Sequence, residues 1–294
     1  MKILAAASAN GKINLRLKVT ARRPDGYHEL DTVFYPLEFP ADEIVLYEKS
    51  SDGVSFACEA FPGLPPESNL AVRAALRYAE RTGIAPRWHI TLNKKLPIAA
   101  GVGGGSSDAA AVLRSLNDIY GKLSETELAD IAVNLGADVP FFLKKRPMRA
   151  TGIGEKLIYF ELPEKMPEIL LVYPGFPISA KWAYQHLEMR YIGPDAGVSA
   201  DDYQQAFAEP DKADWENLVR NDLAFAVWKK FPLCSLLKDF MLERKAWTVQ
   251  ISGSGSSLFA LFPDKGSAAE CAGELRKSEF GNPYTRIFTG GKEW

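Results

Sequence analysis

The sequence predicts an α+β chain of two domains, and three observations carry that expectation. Strand-type and helix-type periodicities alternate through both halves of the chain. A proline-rich stretch, Leu162-Pro163-Glu164-Lys165-Met166-Pro167, punctuates its middle. Hydrophobic residues make up 47% of the 294 residues against 24% charged, a balance that permits a sizeable core without disulfide or metal staples. The expected division is residues 1–163 and 164–294.

Taken in order, Ile13-Asn14-Leu15-Arg16-Leu17-Lys18-Val19 alternates apolar and polar, the period of a half-buried strand. The preceding Met1 to Ala9 superficially resembles a short signal peptide. Its apolar stretch is at the lower limit for one, and the reading preferred here is an N-terminal strand. Arg23-Pro24-Asp25-Gly26 is a turn signal, because Pro presets one dihedral and Gly accepts a left-handed one. Strands are expected at 32–37, 43–47 and 88–92, and a helix over 70–82 that Gly83 stops. Ser107-Asp108 is read as opening a helix whose apolar face is Ala109, Leu113, Leu116 and Tyr120, with Gly121 as its end. Ser124-Glu125-Thr126-Glu127 is a capping box for a further helix with Leu128, Ile131 and Leu135 inward and Gly136 as its stop. In the second half, strands are expected near 169–173, 247–251 and 257–262, and helices near 182–188, 217–231 and 268–277.

The segment from Pro97 to Asp108 carries the chemistry. Pro97-Ile98-Ala99-Ala100-Gly101-Val102-Gly103-Gly104-Gly105-Ser106-Ser107 joins a strand to a helix. Four glycines remove the Cβ atoms that would hold a ligand off the backbone. Successive amides can then face one concavity, to which a helix N-terminus adds its dipole and unpaired N–H groups. This suits a triphosphate. It is not a P-loop, since no Gly-Lys-Ser/Thr follows, nor a dinucleotide fingerprint, since Ser106 stands where the third glycine would be. A flexible Gly/Ser linker is the competing reading, weakened by the helix directly behind. A second segment, Ser252-Gly253-Ser254-Gly255-Ser256-Ser257, fits a hairpin turn as well as it fits phosphate contact.

Asp138, in Gly136-Ala137-Asp138-Val139-Pro140-Phe141-Phe142, precedes a strongly apolar run, so it is part-buried and either structural or functional. Lys12 has apolar neighbours Ile13 and Leu15; it lies either on the wet face of an edge strand or in a site. Phosphoryl transfer needs a proton acceptor and a cation, roles these two residues could fill.

Composition excludes other classes. The net charge is −2 with both signs interspersed, giving no electrostatic footprint for nucleic acid. No apolar run approaches the roughly 20 residues of a membrane span. Cys58, Cys234 and Cys271 are odd in number and widely spaced, which argues against a disulfide framework or zinc site and for a reducing, cytoplasmic setting.

The Lys12 segment, the glycine loop and the second Gly-Ser segment together resemble the three motifs of the superfamily of galactokinase, homoserine kinase, mevalonate kinase and phosphomevalonate kinase (GHMP kinases). Arg22 to Leu30, Gly103 to Ala110, Gly136 to Phe142 and Gly152-Ile153-Gly154-Glu155 resemble the members whose substrate carries a cytidine diphosphate group. The likeness runs from about Leu4 to Pro263. It implies an N-terminal ATP-binding domain like ribosomal protein S5 domain 2 and a ferredoxin-like C-terminal domain. The implied reaction moves the γ-phosphoryl of ATP, with Mg²⁺, to a hydroxyl of that small molecule on the non-mevalonate route to isoprenoids, in a monomer or homodimer. By the same resemblance Asp138 is the base, Lys12 orients it and stabilises charge, and Asn14 holds the hydroxyl end of the substrate. Tyr27, His28 and Tyr184 receive the cytosine, and Asn69 and Lys94 lie near the adenine. Read alone, Tyr27-His28 is an ordinary turn-to-strand pair, Asn69 a helix cap and Tyr184 core packing. The chain departs from the pattern at Ala9-Asn10-Gly11, at Ala180 and at Ser256-Ser257, none of which carries an assigned chemical role. A mevalonate- or homoserine-type kinase, and a non-catalytic nucleotide sensor, are the alternatives.

Overall fold

The computed structural model describes residues 1–60, 65–194 and 196–294. They form two compact units that interleave along the chain: Met1–Gly11, Ala41–Pro97 and Gly103–Lys145 in one, Lys12–Pro40, Ile98–Val102 and Arg146–Trp294 in the other. Interleaving arises because the long strands β1 (Lys2–Arg22) and β2 (His28–Glu48) each contribute to both. The expected strands at 32–37 and 43–47 are thus parts of one strand. Among the described residues no helix is long and apolar enough to cross a membrane.

In the first unit, β3 (Gly53–Ala57) runs parallel to β4 (Arg87–Asn93), and β4 runs antiparallel to the Glu43–Glu48 part of β2. The crossover between the parallel strands contains α1 (Leu70–Thr82), as a parallel pair requires. Asn69 caps α1 by accepting the Ala71 N–H at 2.8 Å, and Gly83 ends it at φ +72°. Ala71, Ala74, Ala75 and Ala79 give α1 a low face on which α2 (Gly104–Tyr120) packs with its buried Ala109, Leu113 and Leu116. The next helix, α3 (Glu125–Leu135), starts with the expected capping box, Ser124 and Glu127 each accepting the other's backbone N–H. The apolar run after Asp138 is a short helix, α4 (Val139–Lys144), with Pro140 in its first turn.

In the second unit, β1 turns at Arg23-Pro24-Asp25-Gly26 into β2, with Gly26 at φ +88° donating its N–H to the Arg23 carbonyl. The expectation of a half-buried strand at 13–19 needs correction. The apolar positions are buried, but so are Lys12, Asn14, Arg16 and Lys18, all at 4% exposure or less. Burial of the polar face is tolerated because its side chains are hydrogen-bonded or ion-paired inside the unit.

The Leu30–Phe34 part of β2 pairs with β5 (Met148–Gly152), which pairs with β6 (Lys156–Tyr159). A second, antiparallel sheet is built from β7 (Glu168–Tyr173), β8 (Thr248–Ile251), β9 (Leu258–Phe262), β10 (Arg286–Thr289) and β11 (Lys292–Glu293), in the order β11-β10-β7-β9-β8. Around it lie α5 (Ala180–Gln185), α6 (Ala200–Ala208), α7 (Trp215–Leu218), α8 (Ala224–Lys230), α9 (Pro232–Leu242) and α10 (Lys265–Lys277). The helix expected over 217–231 is broken into α7 and α8. Asn221 and Asp222, in the break, direct their side chains to other segments instead of continuing a helix. Leu170, Val227, Leu237, Ile251, Leu258 and Leu275 share the core, each contributing about 1.5–3 kcal/mol by burial. That anchors the β8–β9 hairpin firmly enough for its turn to support another segment.

Candidate active site

The buried polar face of β1 starts the site. Lys12 donates from Nζ to Asn14 Oδ1, and its ammonium lies 5.1 Å from the centre of the Phe34 ring. Asn14 Nδ2 donates to Thr32 Oγ1 at 2.8 Å, and the Thr32 hydroxyl donates to the Arg16 carbonyl at 2.6 Å. Each member therefore fixes the rotamer of the next. The wet-face reading of Lys12 is overturned by its burial.

The loop Ile98–Val102 belongs to the same unit and meets that strand, since Lys12 N–H donates to the Val102 carbonyl at 3.0 Å. On its other side stands the second Gly-Ser segment, the β8–β9 turn. Ser252 Oγ donates to the Gly101 carbonyl at 2.9 Å, and the Ser257 N–H donates to the Ala100 carbonyl at 3.1 Å. A Cβ on Gly101 would lie 1.9 Å from the Ser252 carbonyl oxygen. This glycine is needed for contact with protein, a demand the sequence did not reveal. Ser252 to Ser257 is a hairpin turn, as one reading had it, and it also braces the loop. Ile98 is exposed, and the Ile178 N–H donates to the Ala99 carbonyl.

In the first unit, α2 begins at Gly104, earlier than the expected Ser107-Asp108, with Gly103 at φ +71° as its cap. Gly105, Ser106 and Ser107 form its opening turn, and Pro97 closes the stretch of that unit leading up to the loop. Asp108 is not a cap. It is buried, and Lys94 Nζ donates to its Oδ2 at 2.8 Å and also to Asp42 Oδ2. Asp42 Oδ1 accepts the Lys95 and Leu96 N–H groups at 2.6 and 2.7 Å. A Cβ on Gly104 would sit 3.1 Å from Lys94 Nζ, so this cluster lies directly under the start of α2. Burial pushes the Asp108 carboxyl up to about 7 against the pull of Lys94, with Asp42 adding to the rise. Burial alone would lower Lys94, but Asp108 and Asp42 reverse this and raise it. Lys94→Met strands two buried carboxylates and is expected to destabilise the fold by about 3–5 kcal/mol. Asp108→Asn is expected to cost much less, because burial already works against charge on Asp108 and Lys94 keeps Asp42 as its counter-charge. Urea unfolding of both variants checks this; equal losses would contradict the cluster's charge balance.

Asp138 is half-buried in the turn between α3 and α4, and makes no side-chain cap to α4. The same turn approaches α2: a Cβ on Gly136 would lie 4.0 Å from Ser106 Oγ. Asn69 occupies its helix-cap role at the start of α1, next to Leu70, which faces Gly105.

At the β1–β2 hairpin, Tyr27 is 60% exposed. The His28 ring stacks on Tyr184, centroids 5.0 Å apart and planes at 21°. Tyr184 packs on the small core of Leu17, Val19, Leu30, Ala183 and Leu223, in keeping with core packing, while one ring face meets His28. Burial, and then the Arg22 charge, lower His28 from its usual value, which favours neutral imidazole with one donor and one acceptor. The second unit thus joins Lys12, Asn14 and residues 98–102, and pairs His28 with Tyr184. The first unit joins Lys94 to the start of α2, and Asp138's turn to Ser106.

Sequence reasoning missed Thr32, Asp42 and Asn221, and misread Asp108. The Ala109-Ala110-Ala111-Val112 run after Asp108 was a signal of burial. Nothing local marks Thr32 or Asn221, whose partners are 18 and 30–32 residues away in sequence.

A kinase family is what this arrangement matches. The model of the GHMP kinases N terminal domain matches residues 69–146, and that of the GHMP kinases C terminal matches residues 204–281. The chain belongs to the GHMP kinases, and has their two-domain α+β fold. It is 39% identical over 277 residues to a 4-diphosphocytidyl-2-C-methyl-D-erythritol kinase of Syntrophotalea carbinolica, covering 93% of this chain and 94% of that one. It is 36% identical to the enzyme of the same name from Nitratidesulfovibrio vulgaris over 274 residues, covering 90% and 92%. A crystal structure of 4-(cytidine 5'-diphospho)-2C-methyl-D-erythritol kinase superposes with a TM-score of 0.81 at 34% identity, covering 97% and 98%. Homoserine kinase from Cytophaga hutchinsonii, at 17% identity and a TM-score of 0.72, shares the fold.

Proposed function

We propose that the protein transfers the γ-phosphoryl group of ATP to the 2-hydroxyl of 4-diphosphocytidyl-2-C-methyl-D-erythritol, supplying isoprenoid precursors from the cytoplasm. One observation carries the reading. The three motif segments meet at the loop, with Lys12 N–H on Val102 and Ser252 Oγ on Gly101. Such a junction holds backbone amides in a fixed array, which phosphoryl transfer uses for charge stabilisation.

In this reading Asp138 accepts the proton of the attacking hydroxyl. The hydroxyl oxygen forms its bond to the γ-phosphorus as the bond to the β–γ bridging oxygen breaks and ADP leaves. Lys12 holds charge developing on the phosphoryl oxygens, and Asn14 orients the alcohol. Pro97 to Ser107 cradle the phosphates; Asn69 and Lys94 lie towards the adenine. Tyr27, His28 and Tyr184 take the cytosine, the aromatic faces by stacking and the neutral imidazole by hydrogen bonding. Among the described residues no group of three or more His, Cys, Asp or Glu is arranged for a metal. The donor chemistry suits Mg²⁺ nonetheless, because that ion keeps most of its waters and needs one or two protein oxygens beside the phosphates; in this reading Ser106, whose hydroxyl lies near the Asp138 turn, would give one. When bound, it would neutralise phosphate charge. The division at 163/164 and a monomeric or homodimeric state complete the proposal.

The test is ATP-dependent turnover by the purified protein, offered the cytidyl substrate, mevalonate and homoserine in parallel. Tyr27→Ala should raise the KM for the cytidyl substrate about tenfold or more, the scale of one lost base stack, and leave the KM for ATP within about twofold. Tyr27 is exposed, so the fold should not suffer. Equal effects on both substrates would remove the nucleobase slot from Tyr27.

A further inference from the structure

Asn221 lies in the break between α7 and α8, buried to 2% exposure. Its backbone is hooked to β1: Leu17 N–H donates to the Arg220 carbonyl at 2.7 Å, and Asp222 N–H donates to the Leu17 carbonyl at 3.0 Å. Asp222 reinforces the hook, its Oδ2 accepting the Val19 N–H at 2.8 Å and the Lys18 ammonium at 3.1 Å. The Asn221 side chain faces the other way. Nδ2 donates to the Ile251 carbonyl and to the Gly253 carbonyl, each at 2.8 Å, and Oδ1 accepts the Leu223 N–H at 2.9 Å. Both amide hydrogens and one carbonyl lone pair are therefore used inside the core.

The turn that Asn221 holds is the one that braces the loop. A Cβ on Gly253 would lie 3.1 Å from the Gly101 carbonyl oxygen and 3.2 Å from Asn14 Oδ1. The next residue back, Ser252, donates to that same Gly101 carbonyl. A continuous line of hydrogen bonds and close packing thus runs from β1 through Asn221 and the β8–β9 turn to Gly101, and returns to Asn14 on β1.

We infer that Asn221 is a positioning residue for the phosphate loop: its carboxamide sets the height of the Gly253 turn, and the turn sets Gly101. The inference rests on reading that loop as the phosphate cradle. Nδ2 satisfies two carbonyls while Oδ1 accepts an N–H two residues on, a combination of donor, acceptor and short reach that suits Asn at this point. Asp is isosteric but turns an oxygen towards both, so it should push the turn away without emptying the site.

Asn221→Asp is the primary variant and Asn221→Ala the second, with Gln250→Ala as control. Gln250 Nε2 donates to the Val219 carbonyl at 2.9 Å, a tie of the same kind to the same segment that does not reach the turn. Circular dichroism and thermal unfolding define a temperature at which all three are folded, and steady-state kinetics with wild type follow there. The KM for ATP is expected to rise about tenfold or more in Asn221→Asp and by a smaller factor in Asn221→Ala. The KM for the alcohol substrate should move less in both, and Gln250→Ala should keep the KM for ATP within about twofold while lowering the melting temperature. If Asn221→Asp does not fold, Asn221→Ala against Gln250→Ala decides alone. An unchanged KM for ATP in a folded Asn221 variant, or a rise matched by Gln250→Ala, would overturn the positioning role while leaving the kinase reading standing. A wild type without ATP-dependent turnover would overturn both.

Discussion

Asp138→Asn is expected to lower kcat by about 10²–10⁴-fold, the range that a positioned proton acceptor contributes, while leaving the affinity for ATP within about twofold. The side chain keeps its size and shape, and the start of α4 is unaffected because Asp138 makes no side-chain cap to it. What is lost is the capacity to take a proton. Steady-state kinetics with separate titration of a non-hydrolysable ATP analogue distinguish the two quantities. A variant that turns over at the wild-type rate would place the acceptor elsewhere. A variant that loses ATP affinity and kcat together would make Asp138 part of nucleotide binding instead.

Gly101→Ala is expected to abolish measurable ATP binding and to destabilise the fold by about 2–5 kcal/mol. Two costs add. The residue sits at φ +79°, where an L side chain loses about 1–2 kcal/mol. The new methyl would also lie 1.9 Å from the Ser252 carbonyl oxygen, and overpacking of this kind costs about 1–3 kcal/mol. Relief requires the loop and the β8–β9 turn to part, which displaces the amides proposed to hold phosphate. Gly121→Ala makes the control: it has φ +60°, but open space around the added methyl. That variant should lose about 1–2 kcal/mol and bind ATP normally. Urea unfolding and nucleotide titration of the pair separate backbone strain from collision. Similar behaviour of the two variants would show that the close approach at Gly101 has no consequence.

Much of the first unit was legible because its signals are local. Leu70–Thr82 and its Gly83 stop follow from composition within one helix, and the Ser124–Glu127 box closes over four residues. In the second unit the Arg23-Pro24-Asp25-Gly26 turn was legible for the same reason. Where partners are distant, sequence reasoning failed. The polar face of β1 reads as wet by its period, and only the tertiary fold supplies Thr32 for Asn14, Asn217 for Arg16 and Asp222 for Lys18. Asp108 reads with Ser107 as the opening of a helix; Lys94 and Asp42 turn it into part of a buried ion cluster. The helix expected over 217–231 has suitable composition throughout, but Asn221 and Asp222 are taken up by other segments. A three-residue tie between strands cannot be distinguished from a helical turn by periodicity alone.

The brace on Gly101 comes from Ser252, 151 residues further along the chain. During synthesis the glycine loop therefore emerges long before the hairpin that shapes it, and a ribosome-bound chain halted ahead of β8 holds it without support. The loop can take its braced shape only once Ser252 and Ser257 have been made and β8 and β9 have paired.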